Sequence, residues 1–306
     1  KKITTMSEPD ELYTVRAQYW LGHYALSLDE ARQAARRPMP PHLKSEREEL
    51  VLRAQLALGN YDKVIADGSG MDKPLSMQAL ALHAMYLSSS LDARSSVVDN
   101  LKVLMSNPEA ASNTSAQLTA CHIYLHANLL REALQCVHHG LTMEHLAMCV
   151  QIYIKIDRFD LANESFNLLK QADEDSILAQ LASAYLAIAK GSSSSADAVH
   201  IFGGLSEQYG PSIMLLNCMA VANMVAGKYE AAEGNLKEAL SEEFGGSNNA
   251  DALVNIVVCG QHMGRKPADL ERYLNVLKAG HADHPFVQGL VQVESAFERE
   301  SSKYVS

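Results

Sequence analysis

His122 and His126 are the residues whose type and spacing could most readily support chemistry. They lie four positions apart in a stretch with helical periodicity, so both side chains face the same side of a helix and could supply two ligands to a metal ion. The sequence fixes no third ligand and contains no HExxH signature. We therefore expect no metal site, and we expect these histidines to contact a protein partner.

The five cysteines offer no recognisable catalytic or zinc-binding pattern, since no two are spaced as CxxC: Cys121, Cys136, Cys149, Cys218 and Cys259. Three of them, Cys121, Cys149 and Cys218, fall where a thiol would pack between helices as a small hydrophobe. The sequence also lacks the phosphate-binding GxxxxGK[ST] loop and the GxSxG nucleophile motif. We expect no enzymatic activity and no cofactor.

The charge balance disfavours direct binding to nucleic acid or to a membrane. The 26 basic and 36 acidic residues give a formal net charge of −10, which repels phosphates and anionic lipid headgroups. One local exception is Arg32, Arg36 and Arg37, which precede a proline-rich turn. These arginines form either a basic patch or ordinary solvated charge at a helix end, and the helix-end interpretation is favoured.

The cytosol is the expected compartment. No run of eighteen apolar residues occurs, and the first residues, KKITTMSEPDEL, lack the apolar stretch of a signal peptide.

Helices must position these side chains, because apolar residues recur at intervals of three and four, as in AQLTACHIYLHANLLREALQCV. Alternation typical of strands is nearly absent. Turn residues interrupt the helices about every 35 residues, a period typical of two-helix repeats. The predicted turns are at Gly22, Gly59, Ser89, Asn128, Asp157, Gly191, Gly227 and Gly264.

The repeats also carry the tetratricopeptide pattern, in which small residues let two helices approach and aromatic residues fill the space between turns. Val150 and Ala162 are such small positions in one unit, and Ala220 and Ala232 in another. We predict an all-α fold, an α-solenoid of tetratricopeptide-like helix pairs curled into a superhelix with a C-terminal capping helix. Residues 1–306 would form a single domain of about eight helix pairs, with 284–306 as terminal helix and tail.

In such a solenoid the first helix of each pair faces the concave surface, where an elongated partner can lie. Mostly aliphatic and aromatic positions with two arginines, a composition suited to protein recognition, are predicted to face inward. The predicted partner-binding residues are Arg16, Tyr19, Arg53, Leu118, His122, Leu125, Gln151, Ile154, Val221, Met224, Val254 and Val258. Glu230 and Lys237 would lie on second helices, which form the outer wall.

Several segments resemble the coatomer epsilon subunit family, in order and through nearly the whole chain. They are DELYTVRAQYWLGHY, HLAMCVQIYIKIDRFDLA, DEDSILAQLASAYLAIAKG, GKYEAAEGNLKEAL, VNIVVCGQHMGRKP and ADHPF. The resemblance implies a non-catalytic, cytoplasmic scaffold of the coatomer vesicle coat. It would be peripheral on Golgi membranes and coated vesicles, and would serve retrograde Golgi-to-ER and intra-Golgi transport.

In that family the solenoid encircles and stabilises the C-terminal region of the alpha subunit, so the implied partners are that region and other coatomer subunits. Two alternatives remain open. A co-chaperone-like repeat would clamp a terminal carboxylate with several Lys, Arg and Asn side chains in one groove. A helical hydrolase would use the His and Cys residues, for which the sequence contains no motif.

Overall fold

The computed structural model describes residues 10–304, and the chain divides into two compact units, residues 1–189 and 190–306. Within the described residues every regular element is a helix, which confirms the predicted all-α class. Unit 1 contains α1 Tyr13–Trp20, α2 Tyr24–Ala34, α3 Pro41–Ala57, α4 Tyr61–Gly68, α5 Leu75–Ser88, α6 Leu91–Met105, α7 Thr114–His126, α8 Leu130–Val137, α9 Met143–Lys155, α10 Phe159–Ala172 and α11 Ile177–Ala189. Unit 2 contains α12 Ser195–Tyr209, α13 Ile213–Val225, α14 Tyr229–Ala239, α15 Ala250–His262, α16 Pro267–Gly280 and α17 Pro285–Ser301.

The helices pack as the tetratricopeptide pattern predicts. Within each unit the two helices of a pair pack together, for example α9 against α10 and α13 against α14. First helices also pack against the first helix of the next pair, as α5 does against α7 in unit 1 and α13 against α15 in unit 2. The odd-numbered helices therefore form one layer in each unit, and that layer carries the predicted site residues.

Six first helices, α1, α3, α7, α9, α13 and α15, end in the same hydrogen-bonded turn. After α13, the amide of Gly227 donates to the carbonyl of Met224, and the amide of Lys228 donates to the carbonyl of Asn223. This Schellman pattern requires a left-handed residue at the turn. Glycine takes that place in four of the turns, while Asn128 and Asp157 take it in the other two, with φ of 57° and 60°. The predicted turn at Ser89 differs, because Ser89 is extended.

Small residues allow the paired helices to approach closely. Val150 and Ala162 are fully buried in one core cluster of unit 1, and Ala220 and Ala232 are fully buried in a cluster of unit 2. A larger side chain at these positions would separate the helices and lose contacts on both sides. The predicted role of these four positions is confirmed.

Buried thiols join the same packing. Cys121 and Cys149 lie in the core of unit 1, and the Cys149 thiol donates to the carbonyl of Val137 at 3.3 Å. Cys259 makes the equivalent contact in unit 2, to the carbonyl of Tyr229 at 3.3 Å. Cys218 is only half-buried. All five cysteines are free thiols.

The starts of α12 and α16 follow from local sequence. The segment GSSSSAD is only partly a loop, because α12 begins at Ser195 and Asp197 lies in its first turn. An acidic residue there is favourable because it interacts with the positive end of the helix dipole. Pro267 begins α16, since proline suits a first helical turn.

We predict opposite effects for alanine at two glycines of the same helix pair. Gly227 has φ of 74°, Gly234 lies within α14, and a Cβ added to either would meet no atom within 4 Å. Gly227→Ala should lower the free energy of unfolding by about 1 kcal/mol because alanine is strained in the left-handed region. Gly234→Ala should raise it by about 1 kcal/mol because alanine favours the helix. Urea denaturation measures both values, and an equal effect of the two changes would contradict the turn geometry.

Candidate functional site

The twelve predicted partner-binding residues all lie on first helices. Eight are in unit 1, where α1 carries Arg16 and Tyr19, α3 carries Arg53, α7 carries Leu118, His122 and Leu125, and α9 carries Gln151 and Ile154. Four are in unit 2, where α13 carries Val221 and Met224, and α15 carries Val254 and Val258.

The centre of the unit 1 surface is a contact between α1, α3 and α9. Arg53 donates two hydrogen bonds to the Glu144 carboxylate, at 2.6 and 3.2 Å, and the Trp20 indole donates a third at 2.8 Å. The Arg53 guanidinium also lies over the Tyr19 ring, 4.5 Å from its centroid. We call Tyr19, Trp20, Arg53 and Glu144 the Glu144 cluster. It joins the first and second helix pairs of unit 1 to the fifth.

Electrostatics explain why this cluster is charged although it is largely removed from water. Burial alone would lower the pKa of Arg53, but the Glu144 charge, the Tyr19 side chain and the hydrogen bonds to both together keep that pKa above its usual value. Burial alone would raise the pKa of Glu144, and the Arg53 charge together with the Trp20 hydrogen bond lowers it instead. Both groups therefore stay ionised, because each charge stabilises the charged form of the other.

Arg16 is held by a second ion-pair network. Its guanidinium contacts the Asp10 carboxylate at 2.8 Å and the Glu46 carboxylate of α3 at 2.5 Å, and the residue is only 8% exposed. Arg16 therefore presents little free charge to a ligand, whereas the Glu46 side chain keeps 39% of its surface exposed.

A cleft of about 650 Å³ lies between these two networks, at α1, α3 and the first turns of α7 and α9. Its polar lining is dominated by carboxylates, from Asp10, Glu46, Glu49 and Glu144, and both arginines in it are already paired. Trp20 supplies an aromatic wall. A cleft of this composition suits hydrogen-bond donors and basic side chains from a partner better than it suits anions.

His83, on α5, packs beside the two histidines that the sequence singled out. Its ring stacks on His122 with centroids 6.1 Å apart, and it lies 5.4 Å from the His126 ring. Burial and the Arg53 charge lower the pKa of His122 to about 4. Burial and the two neighbouring histidines also lower the pKa of His83, whose Nε2 atom lacks a hydrogen-bond partner among the described residues. The three rings therefore form a neutral aromatic patch at neutral pH.

No group of three or more His, Cys, Asp or Glu residues within 10–304 is arranged to hold a metal ion. In the same range, none of the helices combines the length and apolar character needed to cross a membrane.

The remaining predicted residues of unit 1 differ in accessibility. Leu118 is 5% exposed and belongs to the core, where it packs with Ile123 and Ile152, so its side chain offers almost no surface to a partner. Leu125 and Ile154 are half-buried against core clusters. Gln151 is exposed on α9.

The corresponding surface of unit 2 is apolar with a polar bridge. Val221, Met224, Val254 and Val258 are all half-buried on α13 and α15. Beside them the Asn255 amide donates to the Asn217 carbonyl oxygen at 2.9 Å, joining the two helices. Each asparagine keeps further donors and acceptors, so this surface can bind both apolar side chains and an extended peptide backbone.

Sequence reasoning missed Trp20, Glu144, His83 and the asparagine pair. Helical periodicity indicates which face of a helix a residue occupies, but it contains no information on which distant helix Trp20 or Glu144 meets. The single tryptophan of the chain was the available signal, since a half-buried indole N–H needs a partner.

Comparisons with known proteins point to one family. A family model described as the coatomer epsilon subunit matches residues 8–305. The chain is 36% identical over 302 residues to coatomer subunit epsilon-1 of Arabidopsis thaliana, covering 97% of this chain and 98% of that protein. It is 30% identical over 301 residues to the coatomer subunit epsilon of Dictyostelium discoideum, covering 96% and 99%.

Two solved structures share the fold at low identity. A tetratricopeptide repeat protein from Parabacteroides merdae is 13% identical with a TM-score of 0.54, covering 92% of this chain and 96% of that one. A chain of the APC/C hetero-tetramer Cut9–Hcn1 is 15% identical with a TM-score of 0.60, covering 92% and 55%. These likenesses support the tetratricopeptide architecture.

The Glu144 cluster predicts a large difference between breaking one ion pair and removing both charges. Arg53→Met leaves the Glu144 carboxylate with the Trp20 bond alone, and should lower the free energy of unfolding by about 2 kcal/mol. This is less than for a fully buried pair, because the two side chains are 17% and 24% exposed. The double variant Arg53→Met with Glu144→Gln should lower the free energy of unfolding by less than Arg53→Met alone. Lys102→Met, which breaks an exposed pair with Asp99, is the urea-denaturation control and should have little effect.

His122 predicts a loss of stability in mild acid. Its folded pKa of about 4 lies below the unfolded value of about 6.5, so the unfolded chain gains a proton first as the pH falls. Between pH 7 and pH 5 this should cost about 2 kcal/mol, which His122→Gln should recover. His200→Gln, at an exposed position of α12, should leave the pH profile unchanged. Identical pH profiles for wild type and His122→Gln would refute the assignment.

Proposed function

Because the chain belongs to the coatomer epsilon subunit family, we propose that it is a non-catalytic scaffold that binds and stabilises the C-terminal region of the coatomer alpha subunit. The match of the family over residues 8–305 is the observation that carries the proposal. The chain would act in the cytoplasm, reach Golgi membranes and vesicles through the complex with other coatomer subunits, and serve retrograde Golgi-to-ER and intra-Golgi transport. Both units would work as one functional domain.

The first-helix surfaces are the proposed binding sites. In unit 1 the cleft beside the Glu144 cluster offers carboxylates to donors on the partner and the Trp20 ring as an aromatic wall. In unit 2 the half-buried valines offer apolar contacts, and Asn217 and Asn255 offer hydrogen bonds to a peptide backbone. Such a surface combines shape, apolar area and a few oriented polar groups, as specific protein interfaces do.

The carboxylate-clamp alternative is less well supported. Such a clamp needs free cationic donors converging on one groove. Here Arg16 is paired with Asp10 and Glu46, and Arg53 is paired with Glu144. A terminal carboxylate entering this cleft would meet three carboxylates that already hold the arginines, and repulsion would oppose binding.

The hydrolase alternative is opposed by the state of the thiols. Burial raises the pKa of Cys149 to about 12 and that of Cys136 to about 11, so neither thiol is a nucleophile at neutral pH. A nucleophilic cysteine would need a lowered pKa and an accessible position.

The test compares first-helix and second-helix substitutions in binding of the purified C-terminal region of the alpha subunit. Val221→Asp places a charge on the unit 2 surface and Gln151→Lys places one on that of unit 1. We expect Val221→Asp to weaken binding by about 2 kcal/mol because an apolar contact becomes a desolvated charge. Gln151→Lys should repel basic side chains of the partner and weaken binding less, since this side chain is exposed. Ile154→Asp and Met224→Asp should weaken binding too, but both residues pack against core clusters, so their effect includes folding.

Glu230→Lys and Lys237→Glu, both on α14, are the matched controls and should leave the affinity unchanged. Calorimetry on variants whose helicity matches wild type supplies the measurement. A larger loss for the second-helix controls than for the first-helix variants would overturn the proposed binding surface. A wild-type chain that does not bind this region would overturn the proposed partner.

A further inference from the structure

Helix α3 has a second accessible face, opposite the one that carries Arg53. Positions 46, 49 and 53 line the cleft beside the Glu144 cluster, whereas positions 47, 48, 51 and 52 line a separate groove of about 390 Å³ in unit 1. We call it the α3 groove. Its lining comes from α2, α3, α4, α5 and the segment before α5, and consists of Ala31, Arg32, Ala35, Arg47, Glu48, Val51, Leu52, Asp67, Lys73 and Met77.

The floor of the α3 groove is apolar. Val51 is half-buried and Ala35 is exposed, so these two residues supply most of the accessible apolar surface. Ala31, Leu52 and Met77 are buried beneath them. The floor therefore suits one bulky aliphatic or aromatic side chain.

The rim of the groove is basic although the chain has a net charge of −10. Arg32, Arg47 and Lys73 line it, against the two carboxylates Glu48 and Asp67. Arg32 already pairs with Asp29 at 2.7 Å, so Arg47 and Lys73 are the cations left for a ligand. Arg36 and Arg37 follow directly at the exposed end of α2 and extend the positive charge. The arginine group noted in the sequence is therefore part of a larger basic surface, to which α2, α3 and the segment before α5 contribute.

Helix-end charge does not account for this arrangement. Arg32, Arg36 and Arg37 lie near the C-terminus of α2, where cations are favourable for the helix itself. Arg47 lies within α3, however, and its contact with the Glu48 carboxylate is 3.7 Å long, beyond hydrogen-bonding distance. Lys73 lies just before the N-terminus of α5, whose dipole also favours an anion. Two cations that do not cap a helix thus flank an apolar floor.

We propose that the α3 groove docks a short acidic peptide segment of another protein. One bulky apolar side chain of the segment packs on Val51 and Ala35, and the carboxylates of the segment pair with Arg47 and Lys73. Charge complementarity selects the segment, because a basic or neutral peptide with the same apolar residue lacks partners for the rim. The groove is distinct from the first-helix surface proposed for the alpha subunit, so a coat scaffold could bind both partners.

The test uses fluorescein-labelled eight-residue peptides of Asp and Glu with one central Phe or Leu, and control peptides in which Asn and Gln replace the acids. Fluorescence anisotropy with the full chain should give binding at least about tenfold tighter for the acidic peptides, and added salt should weaken it. Equal affinity for acidic and neutral peptides would overturn the proposal.

Charge reversal locates the site. Arg47→Glu with Lys73→Glu should weaken peptide binding at least about tenfold. Lys63→Glu with Lys102→Glu, at exposed positions of α4 and α6 outside the groove, changes the net charge equally, is the matched control and should have little effect. Ala35→Tyr fills the groove without changing charge and should also abolish binding, so the result does not depend on one variant that misfolds. An equal loss in the control variant would show that only the overall field matters, and would overturn the site.

Two further measurements separate this inference from its competitors. Vesicles containing phosphatidylserine should not bind the wild-type chain, and vesicle binding that Arg47→Glu abolishes would assign the basic rim to lipid and overturn the peptide proposal. The double variant should bind the C-terminal region of the alpha subunit as wild type does. Loss of alpha-subunit binding in the double variant would place the groove within the coat interface and overturn the proposal of a separate site. Failure of the wild-type chain to bind that region would contradict the proposed function and leave the peptide proposal standing.

Discussion

The Glu144 carboxylate fixes the inner surface of unit 1. It accepts hydrogen bonds from Trp20 and Arg53, which lie 124 and 91 residues earlier in the chain. Stacked repeats ordinarily contact only their neighbours. Hydrogen bonds from the first two helix pairs to the fifth therefore constrain unit 1 in a way that stacking alone does not. Removing two charges from water is costly, and the cost is offset here because three directed hydrogen bonds and a stacked Tyr19 ring satisfy the groups together.

This constraint sets the chemistry that the first-helix surface of unit 1 presents, and unit 2 differs. In unit 1 the arginines are committed to carboxylates within the chain, and the hydrogen-bonding capacity left in the cleft is mainly that of carboxylate oxygens. In unit 2 the matching surface combines half-buried valines with the Asn217 and Asn255 amides. The same repeat pattern thus presents two different chemistries, and a partner that uses both surfaces must itself carry donors in one part and apolar side chains in the other.

Local patterns in the sequence predicted the fold well, because they act within one repeat. Turn residues such as Gly227 and Asp157 take the left-handed conformation that their positions required, and Ala162 and Ala232 are buried where helices approach. The site was predicted less completely. Periodicity assigns a residue to a helix face, but burial depends on a neighbour far away in sequence, so Leu118 is a core residue and Arg16 is internally paired.

Helix α3 connects the two surfaces of unit 1, which raises the question of whether ligands at its opposite faces influence each other. Coupling requires an element with two alternative packings that both ligands bias. Leu50 packs into the core with α1 and α2, while Leu52 and Leu56 pack into the core with α4 and α5. A shift of α3 toward either side would open one core and overfill the other, at a cost of about 2 to 5 kcal/mol. Since Arg53 is also tied to Glu144, α3 is held from both sides, and we expect ligands at its two faces to bind independently.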